Sequence, residues 1–161
     1  MLVVADSSPF ILLTNIEHVD VLDSLFQSVT IPPEVAAELA GAKRPQRVRD
    51  FIVRRPAWLH IKVPTTIEQI PALDAGEKAA ISLAVELHAE LLLIDEEKGR
   101  RAAASRGITL TGTIGVLERA AEARLLDLED AFERVKKTDF WISHKLLDQR
   151  LELHRRRSIR P

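Results

Sequence analysis

Two short apolar runs, each followed by an aspartate, constrain the fold of this chain more than any other feature. Residues 2–5 (LVVA) and 91–94 (LLLI) contain no polar side chain, whereas a strand with one face in water alternates apolar and polar residues. A run without alternation is typical of a strand that is buried on both faces, as in the centre of a parallel sheet. The sequence therefore predicts two central strands, the first followed by Asp6 and the second by Asp95.

The sequence predicts three further strands, and predicted helices alternate with all five strands. The other strands are predicted at residues 29–31, 58–63 and 108–110. Helices are predicted at residues 7–13, 19–26, 34–40, 74–89, 97–105, 113–124, 130–137 and 143–157, and the basic stretch 43–56 has apolar residues at helical spacing. We expect a hydroxyl cap at Ser7-Ser8-Pro9, where the first helix begins, and Gly107 is placed to end the helix at 97–105. Strands alternating with helices indicate an α/β fold with a mostly parallel sheet.

The length and composition are typical of a single globular domain. The 161 residues suit one domain over 1–161, with a basic helix or tail at about 143–161. The absence of cysteine excludes disulfides and thiolate metal sites and is compatible with a reducing cytoplasm. Because no apolar run approaches the roughly 18–20 residues that a membrane helix needs, we expect a cytoplasmic protein without a membrane partner.

Several catalytic classes lack their sequence motifs in this chain. There is no Gly-x-Ser-x-Gly for a serine hydrolase and no Gly-x-x-x-x-Gly-Lys-[Ser/Thr] for nucleoside triphosphate binding. The five histidines also lack the spacing of metal ligands. A covalent hydrolase, an NTPase or a histidine-based metal centre is therefore not expected.

Four acidic residues are candidates for a common metal site. If the predicted strands are parallel, their carboxyl ends share one sheet edge, which brings Asp6 and Asp95 together. Glu38 and Glu77 lie beside apolar faces of predicted helices, where an unpaired carboxylate is costly. Carboxylates in one pocket repel each other and raise some of their pKa values, and a divalent cation relieves that repulsion. Ligands that are all oxygen favour Mg²⁺ or Mn²⁺.

Each of these acids also has a purely structural interpretation. Asp6 and Asp95 each stand just before a predicted helix, and each side chain could cap the helix that follows it. Glu77 follows Asp74 at the spacing of a capping box, and Glu38 could be an ordinary solvated charge. Capping and metal binding do not exclude each other, so the alternatives remain open from sequence alone.

Polar and basic residues near the same predicted edge are candidates for phosphate binding. Thr111-Gly112-Thr113 follows a predicted strand and precedes a helix, where hydroxyls and backbone N–H groups bind phosphate or simply cap the turn. By the same reasoning, Ser7 is a candidate for positioning a metal-bound water. The basic residues after the second central strand could hold a phosphate backbone or be solvated surface charges: Lys98, Arg100 and Arg101.

Five segments, taken in order, resemble the PIN-domain family. They are VVADSSPFILL (3–13), IPPEVAAEL (31–39), LDAGEKAAISLA (73–84), LLLIDEEKGRRAAASRGI (91–108) and TGTIGVL (111–117). The arrangement is especially similar to a prokaryotic subgroup of PIN-domain proteins that carries the patterns GE-x-x-AI and ID-[DE]-x-x-GR-x-x-A. Each segment alone is a weak signal, and the resemblance rests on the ordered set.

The resemblance implies a three-layer α/β/α fold with a doubly wound, mostly parallel sheet of four or five strands. By position, the acids that bind Mg²⁺ or Mn²⁺ in the family correspond to Asp6, Glu38, Glu77 and Asp95. The third acid is usually aspartate in PIN domains. The longer Glu77 departs from that pattern but agrees with the subgroup.

The resemblance further implies a metal-dependent endoribonuclease that cuts single-stranded RNA. Many small PIN proteins are VapC-type toxins held inactive by an antitoxin, and homodimers are common, so a type II toxin role, a cognate antitoxin and a homodimer are implied. The alternative is a PIN scaffold that binds RNA or regulates without cleaving. A phospho-receiver is disfavoured because it requires adjacent acids after the first strand, where Ser7-Ser8-Pro9 follows Asp6 here.

Overall fold

In the computed structural model, which describes residues 1–159, five short strands form one all-parallel sheet. They are β1 (Val3–Ala5), β2 (Val29–Ile31), β3 (Leu59–Ile61), β4 (Leu91–Leu93) and β5 (Leu110–Thr111). Their order across the sheet is β3-β2-β1-β4-β5. The chain thus builds outward from β1 to β3 and then continues on the other side of β1 with β4 and β5. The predicted α/β fold with a doubly wound sheet of four or five strands is confirmed.

Helices flank the sheet and connect its strands. They are α1 (Ser7–Asn15), α2 (Val21–Phe26), α3 (Pro33–Leu39), α4 (Gln46–Arg54), α5 (Ala75–Glu86), α6 (Glu97–Ser105), α7 (Thr113–Glu122), α8 (Leu128–Lys136) and α9 (His144–Ile159). Helix α1 packs against α3, α4 and α7, and α5 packs against α3 and α6. The predicted basic tail is helical as far as Ile159, and its last two residues, 160 and 161, lie outside the described residues.

The two apolar runs form the centre of the sheet, as predicted. The side chains of β1 and β4 are all buried, none more than 2% exposed. The strands are direct neighbours, with Val4 opposite Leu92. Beyond the last residue of β1, the backbone N–H of Asp6 donates to the carbonyl of Leu93 at 2.9 Å. This bond keeps the carboxyl ends of the two central strands side by side.

Residues with positive φ end two of the helices, one at the predicted place and one earlier. Gly107 (φ 74°) ends α6 as expected, with its N–H on the carbonyl of Ala104 and the N–H of Ile108 on that of Ala103. Since Ile108 belongs to this helix exit, the fifth strand begins at Leu110 and not at residue 108. His88 (φ 51°) ends α5 in the same way, so that helix does not reach residue 89.

The basic stretch 43–56 contains a helix, as its apolar spacing indicates. In α4 the buried residues are Val48, Phe51 and Ile52. The ring of Phe51 lies 5.8 Å from that of Phe10 and 5.9 Å from that of Trp58, measured between centroids. Within residues 1–159, no helix has both the length and the apolar character needed to cross a membrane.

The burial of β4 predicts a large loss of stability when one of its side chains is truncated. Leu92 is 0% exposed, so Leu92→Ala should lower the free energy of unfolding by about 2–5 kcal/mol. Val85→Ala is the matched control because Val85 on α5 is 45% exposed, and its effect should stay within about 0.5 kcal/mol. Urea unfolding measures both. Similar losses for the two variants would contradict the central position of β4.

Candidate active site

Asp6 and Asp95 lie at the point where the strand order of the sheet reverses. Asp6 follows β1, and Asp95 follows β4 after one further residue, Ile94. Because the neighbouring strands are parallel, both acids are at the same edge. In open α/β sheets, ligands bind outside the carboxyl ends of the strands at this kind of position. The juxtaposition predicted from the two apolar runs is therefore present.

The side chain of Asp6 is buried and does not cap the helix that follows it. Asp6 is 4% exposed and occupies the position before α1, but its carboxylate makes no capping hydrogen bond. Its Oδ1 atom is buried without a hydrogen-bond partner. Burial raises the pKa of Asp6 to about 7, and the nearby charges of Glu38, Asp74 and Asp95 also raise it.

The first turn of α1 touches two of the other acids. We expected the hydroxyls here to cap the helix, and this prediction is wrong, since neither makes a capping bond. Instead, Ser7 Oγ donates to Glu38 Oε2 at 2.6 Å, and Ser8 Oγ donates to Asp95 Oδ2 at 3.0 Å. These contacts link the helix after β1 to acids from α3 and from the end of β4.

Asp95 is held by the beginning of α7. The backbone N–H of Thr113 donates to Asp95 Oδ1, and the Thr113 hydroxyl donates to Oδ2, both at 2.7 Å. The cap of α6 is Glu96, whose carboxylate accepts from the backbone N–H groups of Lys98 and Gly99. Asp95 therefore does not cap the helix that follows it in sequence, and the two donors of Thr113, together with the Ser8 hydroxyl, fix the orientation of its carboxylate.

Glu77 uses one carboxylate oxygen for a cap and leaves the other free. The capping box with Asp74 is present: Asp74 Oδ1 accepts from the N–H of Glu77 at 2.8 Å, and Glu77 Oε1 accepts from the N–H of Asp74 at 3.4 Å. Glu77 Oε2 is buried without a partner. Burial, followed by the interactions with Asp74 and the charge of Asp6, raises the pKa of Glu77 to about 8.

Glycines make room for three of the acids. A Cβ atom on Gly76 would lie 2.2 Å from Glu38 Oε1, and one on Gly112 would lie 2.7 Å from Asp95 Oδ1. A Cβ atom on Gly99 would lie 3.0 Å from Glu77 Oε2 and closer still to a buried isoleucine. The glycines of the GE, GR and TGT segments thus stand where carboxylates approach the backbone.

The chemistry of these side chains fits a hard divalent cation. All donors are oxygens, and two buried carboxylate oxygens, Asp6 Oδ1 and Glu77 Oε2, have no other partner. In the described part of the chain, however, no three acidic or histidine side chains already stand close enough together to hold one ion. The pocket therefore has the donors for a cation, and the carboxylates would have to move toward it.

Of the basic residues predicted near the site, Arg100 lies closest to the acids. Its Nη1 donates to the carbonyl of Ile94 at 2.9 Å, beside Gly112. Lys98 is exposed on α6, and Arg101 pairs with Glu97 at 2.6 Å on the solvent side of the same helix. Such exposed pairs are weak and open readily to another anion.

A groove that the sequence did not predict begins at Asp95. It has a volume of about 320 Å³ and is bordered by Arg100, Thr111 and the segment between α8 and α9, which includes Phe140 and Trp141. Thr111 can reach a ligand in this groove, whereas Thr113 is fully buried with its hydroxyl on Asp95. The only sequence signal for the groove is the pair of aromatic residues in a chain that is 4% aromatic.

The fold and the site together define a class: a doubly wound α/β protein with an acidic centre at the switch point of its sheet. The model of the family DUF3368, a PIN domain, matches residues 2–156. The chain therefore belongs to the PIN-domain family, which confirms the resemblance seen in the sequence. PIN domains are generally nucleases and generally use divalent metals.

A solved structure shares the fold. A PilT N-terminus domain protein from the hyperthermophilic archaeon Sulfolobus solfataricus P2 matches with a TM-score of 0.54 and 15% identity, over 76% of this chain and 95% of that chain. At this level of identity the likeness concerns the fold alone. No curated protein sequence matches the chain significantly.

The raised pKa values predict that the metal-free protein loses stability as the pH rises. The ordinary pKa values are 3.8 for Asp6 and 4.5 for Glu77, against about 7 and about 8 in the folded chain. The folded protein therefore retains protons that the unfolded chain releases, so this stability is complete below about pH 4 and decreases toward about pH 8. The melting temperature in EDTA, measured across this range, should fall as pH rises.

Asp6→Asn removes one of the two titrations. We expect a smaller decrease between pH 5 and pH 8 and a higher melting temperature than the wild-type protein at pH 8. Asp23→Asn is the matched control because Asp23 is exposed on α2, and its pH dependence should equal that of the wild type. If Asp6→Asn and Asp23→Asn gave the same curve, the burial of an ionisable Asp6 would be refuted.

Proposed function

We propose that this protein is an endoribonuclease that requires Mg²⁺ or Mn²⁺ and cleaves single-stranded RNA. The observation that carries the proposal is the pair of buried carboxylate oxygens, Asp6 Oδ1 and Glu77 Oε2, that have no partner at the switch point of the sheet. Unpartnered buried oxygens of this kind are costly, and binding of a cation would compensate them. Membership in a family of nucleases supports the same conclusion.

The residues proposed to hold the cation are Asp6, Glu77 and Asp95, with Glu38 binding directly or through water. A bound cation would supply a water of lowered pKa and charge stabilisation for the phosphoryl oxygens. The chain's own contribution is to orient the acids. Ser7 holds the carboxylate of Glu38, and the capping box with Asp74 holds Glu77.

Asp95 is positioned by donors on two helices, Ser8 on α1 and Thr113 on α7. Partners that orient ligating side chains contribute to metal affinity even though they do not touch the metal. We therefore assign Ser7, Ser8 and Thr113 as positioning residues.

The substrate backbone is proposed to cross the edge of the sheet beside α6. Arg100 would contact phosphate next to Asp95, and Thr111 would contact it from the groove. Lys98 and Arg101 would add charge further along the helix. Contacts of this kind give salt-dependent binding with little sequence preference.

We extend this proposal to a role in the cell. A cytoplasmic toxin of a type II pair, neutralised by a cognate antitoxin and acting as a homodimer, is the role implied by the resemblance to small PIN proteins. A short open reading frame beside the gene would support it.

A second candidate is a PIN scaffold that binds RNA without cleaving it. The observation that favours it is that, within residues 1–159, no three potential ligands are gathered at ligating distance. Under this alternative the acids would be retained for helix capping and for contacts with Ser7, Ser8 and Thr113.

Cleavage of single-stranded RNA in the presence of Mn²⁺ distinguishes the two candidates. We expect the purified protein to cut a labelled oligonucleotide, and we expect Asp6→Asn and Asp95→Asn to reduce the rate to background because each removes a proposed ligand. Thr113→Val should lower the rate by about 10- to 100-fold, since it keeps the backbone donor to Asp95 but removes the hydroxyl. Gel electrophoresis of the cleavage products measures the rate for the wild-type protein and the three variants.

Activity that survives in both aspartate variants would come from a contaminating nuclease. Repeated absence of cleavage by the wild-type protein, together with intact metal binding, would favour the RNA-binding scaffold. Lys43→Ala is a suitable control because Lys43 is exposed and lies outside the proposed site, so it should leave cleavage unchanged.

Metal binding itself should be visible as thermal stabilisation. Mn²⁺ at about 100 times its dissociation constant should stabilise the fold by about 2.7 kcal/mol. Asp6→Asn, Glu77→Gln and Asp95→Asn should each abolish the rise in melting temperature. The measurement is a thermal melt with and without Mn²⁺.

Gly76→Ala tests the arrangement of the acids without removing any of them. The new Cβ would lie 2.2 Å from Glu38 Oε1, so the flexible carboxylate must move away and the Mn²⁺-dependent rise should decrease. Ala75→Ser, at an exposed position in the same helical turn, is the control that should keep the full rise. A full rise in Gly76→Ala would contradict the proposal that Glu38 binds the cation from its present place beside Gly76.

A further inference from the structure

The segment between α8 and α9 presents a tryptophan to solvent. Trp141 is 98% exposed, whereas Phe140 and Ile142 on either side are half-buried and pack against the core. The side chain of Trp141 thus points to solvent, whereas those of its two neighbours pack inward. A tryptophan that is almost fully exposed is unusual, because its large apolar surface is normally at least partly covered.

Hydrogen bonds fix this segment at both ends. Thr138 Oγ1 donates to the carbonyl of Val135 at the end of α8 and accepts from the N–H of Phe140. At the other end, Ser143 Oγ accepts from the N–H of Leu146 in the first turn of α9. The backbone on either side of Trp141 is therefore anchored, which places the residue at a defined point beside the groove.

Trp141 borders the groove that begins at the acidic site. The groove has a volume of about 320 Å³, at the lower end of the roughly 300–1,000 Å³ of small-molecule pockets. Its borders include Asp95, Arg100, Gly112, Phe140, Trp141 and Ile142. One end is thus polar and belongs to the proposed active site, and the other end is aromatic and apolar.

The polar end carries a cation that can bind phosphate. Arg100 donates to the carbonyl of Ile94, and among residues 1–159 no acid forms a salt bridge with it. Arg150, on the same groove, is different because its Nε and Nη2 atoms both donate to the carboxylate of Glu118. A ligand that carries a phosphate beside an aromatic ring system would fit this groove, with its phosphate at Arg100 and its ring at Trp141.

We propose that Trp141 is a stacking platform for a nucleobase of single-stranded RNA, adjacent to a phosphate held by Arg100 at the end of the groove nearest Asp95. The proposal rests on the proposed nuclease function for the path of the RNA. Stacking on an aromatic side chain requires an exposed base face, which a single strand offers and a duplex does not. Trp141 would therefore help to select single strands, and would do so with little dependence on base identity.

Fluorescence of Trp141 tests the contact directly. The chain has two tryptophans, and the other, Trp58, is half-buried against Phe51. Trp58→Phe retains an aromatic ring at that contact and leaves Trp141 as the only tryptophan. A 2′-O-methyl oligonucleotide, which has no 2′-hydroxyl, should quench this fluorescence in EDTA. The matched variant, Trp141→Phe, should show no quenching.

Oligonucleotide controls separate stacking from charge. An oligonucleotide of the same length with abasic sites has the same phosphates but no bases, so it should not quench Trp141. A duplex of the same sequence should not quench either. If the abasic strand quenched Trp141 as strongly as the intact one, stacking on a base would be refuted.

Binding affinity gives the second readout. Trp141→Ala should weaken binding of the single strand by about 5- to 100-fold, measured by anisotropy of a labelled oligonucleotide. The same variant should keep the Mn²⁺-dependent rise in melting temperature, because Trp141 touches no proposed ligand. Binding that is equal in the wild type and Trp141→Ala would overturn the proposal, as would an absence of any binding.

The remaining outcomes distinguish this inference from the proposed function. Quenching and binding without cleavage would contradict the nuclease but support the stacking site. Cleavage that is unaffected by Trp141→Ala, without quenching, would leave the nuclease intact and refute the stacking site. If Trp141→Ala instead converted a dimer to a monomer in sedimentation and left RNA binding unchanged, Trp141 would belong to a protein interface and the proposal would be wrong.

Discussion

The parallel pairing of β1 with β4 is the constraint on which the rest of the site depends. These two strands come from distant parts of the chain, and each is only three residues long. Their alignment, extended by the bond from Asp6 to Leu93, places both following aspartates at one edge. Glu77 reaches the site on α5, which packs against both strands, and Glu38 reaches it on α3, which packs against α1 and α5. An error of one residue in this register would direct the side chains of β4 to the opposite faces of the sheet.

In this site, hydrogen bonds stabilise some carboxylate oxygens, whereas others are buried without a partner. Glu77 is an example, because one of its oxygens completes a helix cap while the other is buried without a partner. Asp95 is the opposite case, with donors on both oxygens. The pocket thus contains two kinds of acid, one with a donor on each carboxylate oxygen and one with a buried oxygen that has no partner. Proteins often tolerate such a loss of stability where a ligand or a reaction requires it.

The sequence predicted the fold and the shared edge well because both follow from patterns that are local. Unbroken apolar runs identify buried strands, and Asp74 with Glu77 identifies a capping box from spacing alone. The helix ends were less predictable, since His88 adopts the positive φ that is usually associated with glycine. The partners of Ser7 and the position of Trp141 were not predictable, because they depend on which helices meet in three dimensions. Whether the four acids act in catalysis remains a prediction.

The close approach of Gly76 to Glu38 also restricts how this pocket can change over time. The two residues lie on different helices, α5 and α3, yet there is no space for both a Cβ at position 76 and the present carboxylate at position 38. A lineage that first shortens the acid to aspartate opens room for alanine at 76, whereas the reverse order forces the carboxylate of Glu38 to move from its present place beside Ser7. Exchange at these two positions is therefore directional, and related chains should carry the small residue and the long acid, or the larger residue and the short acid, as matched pairs.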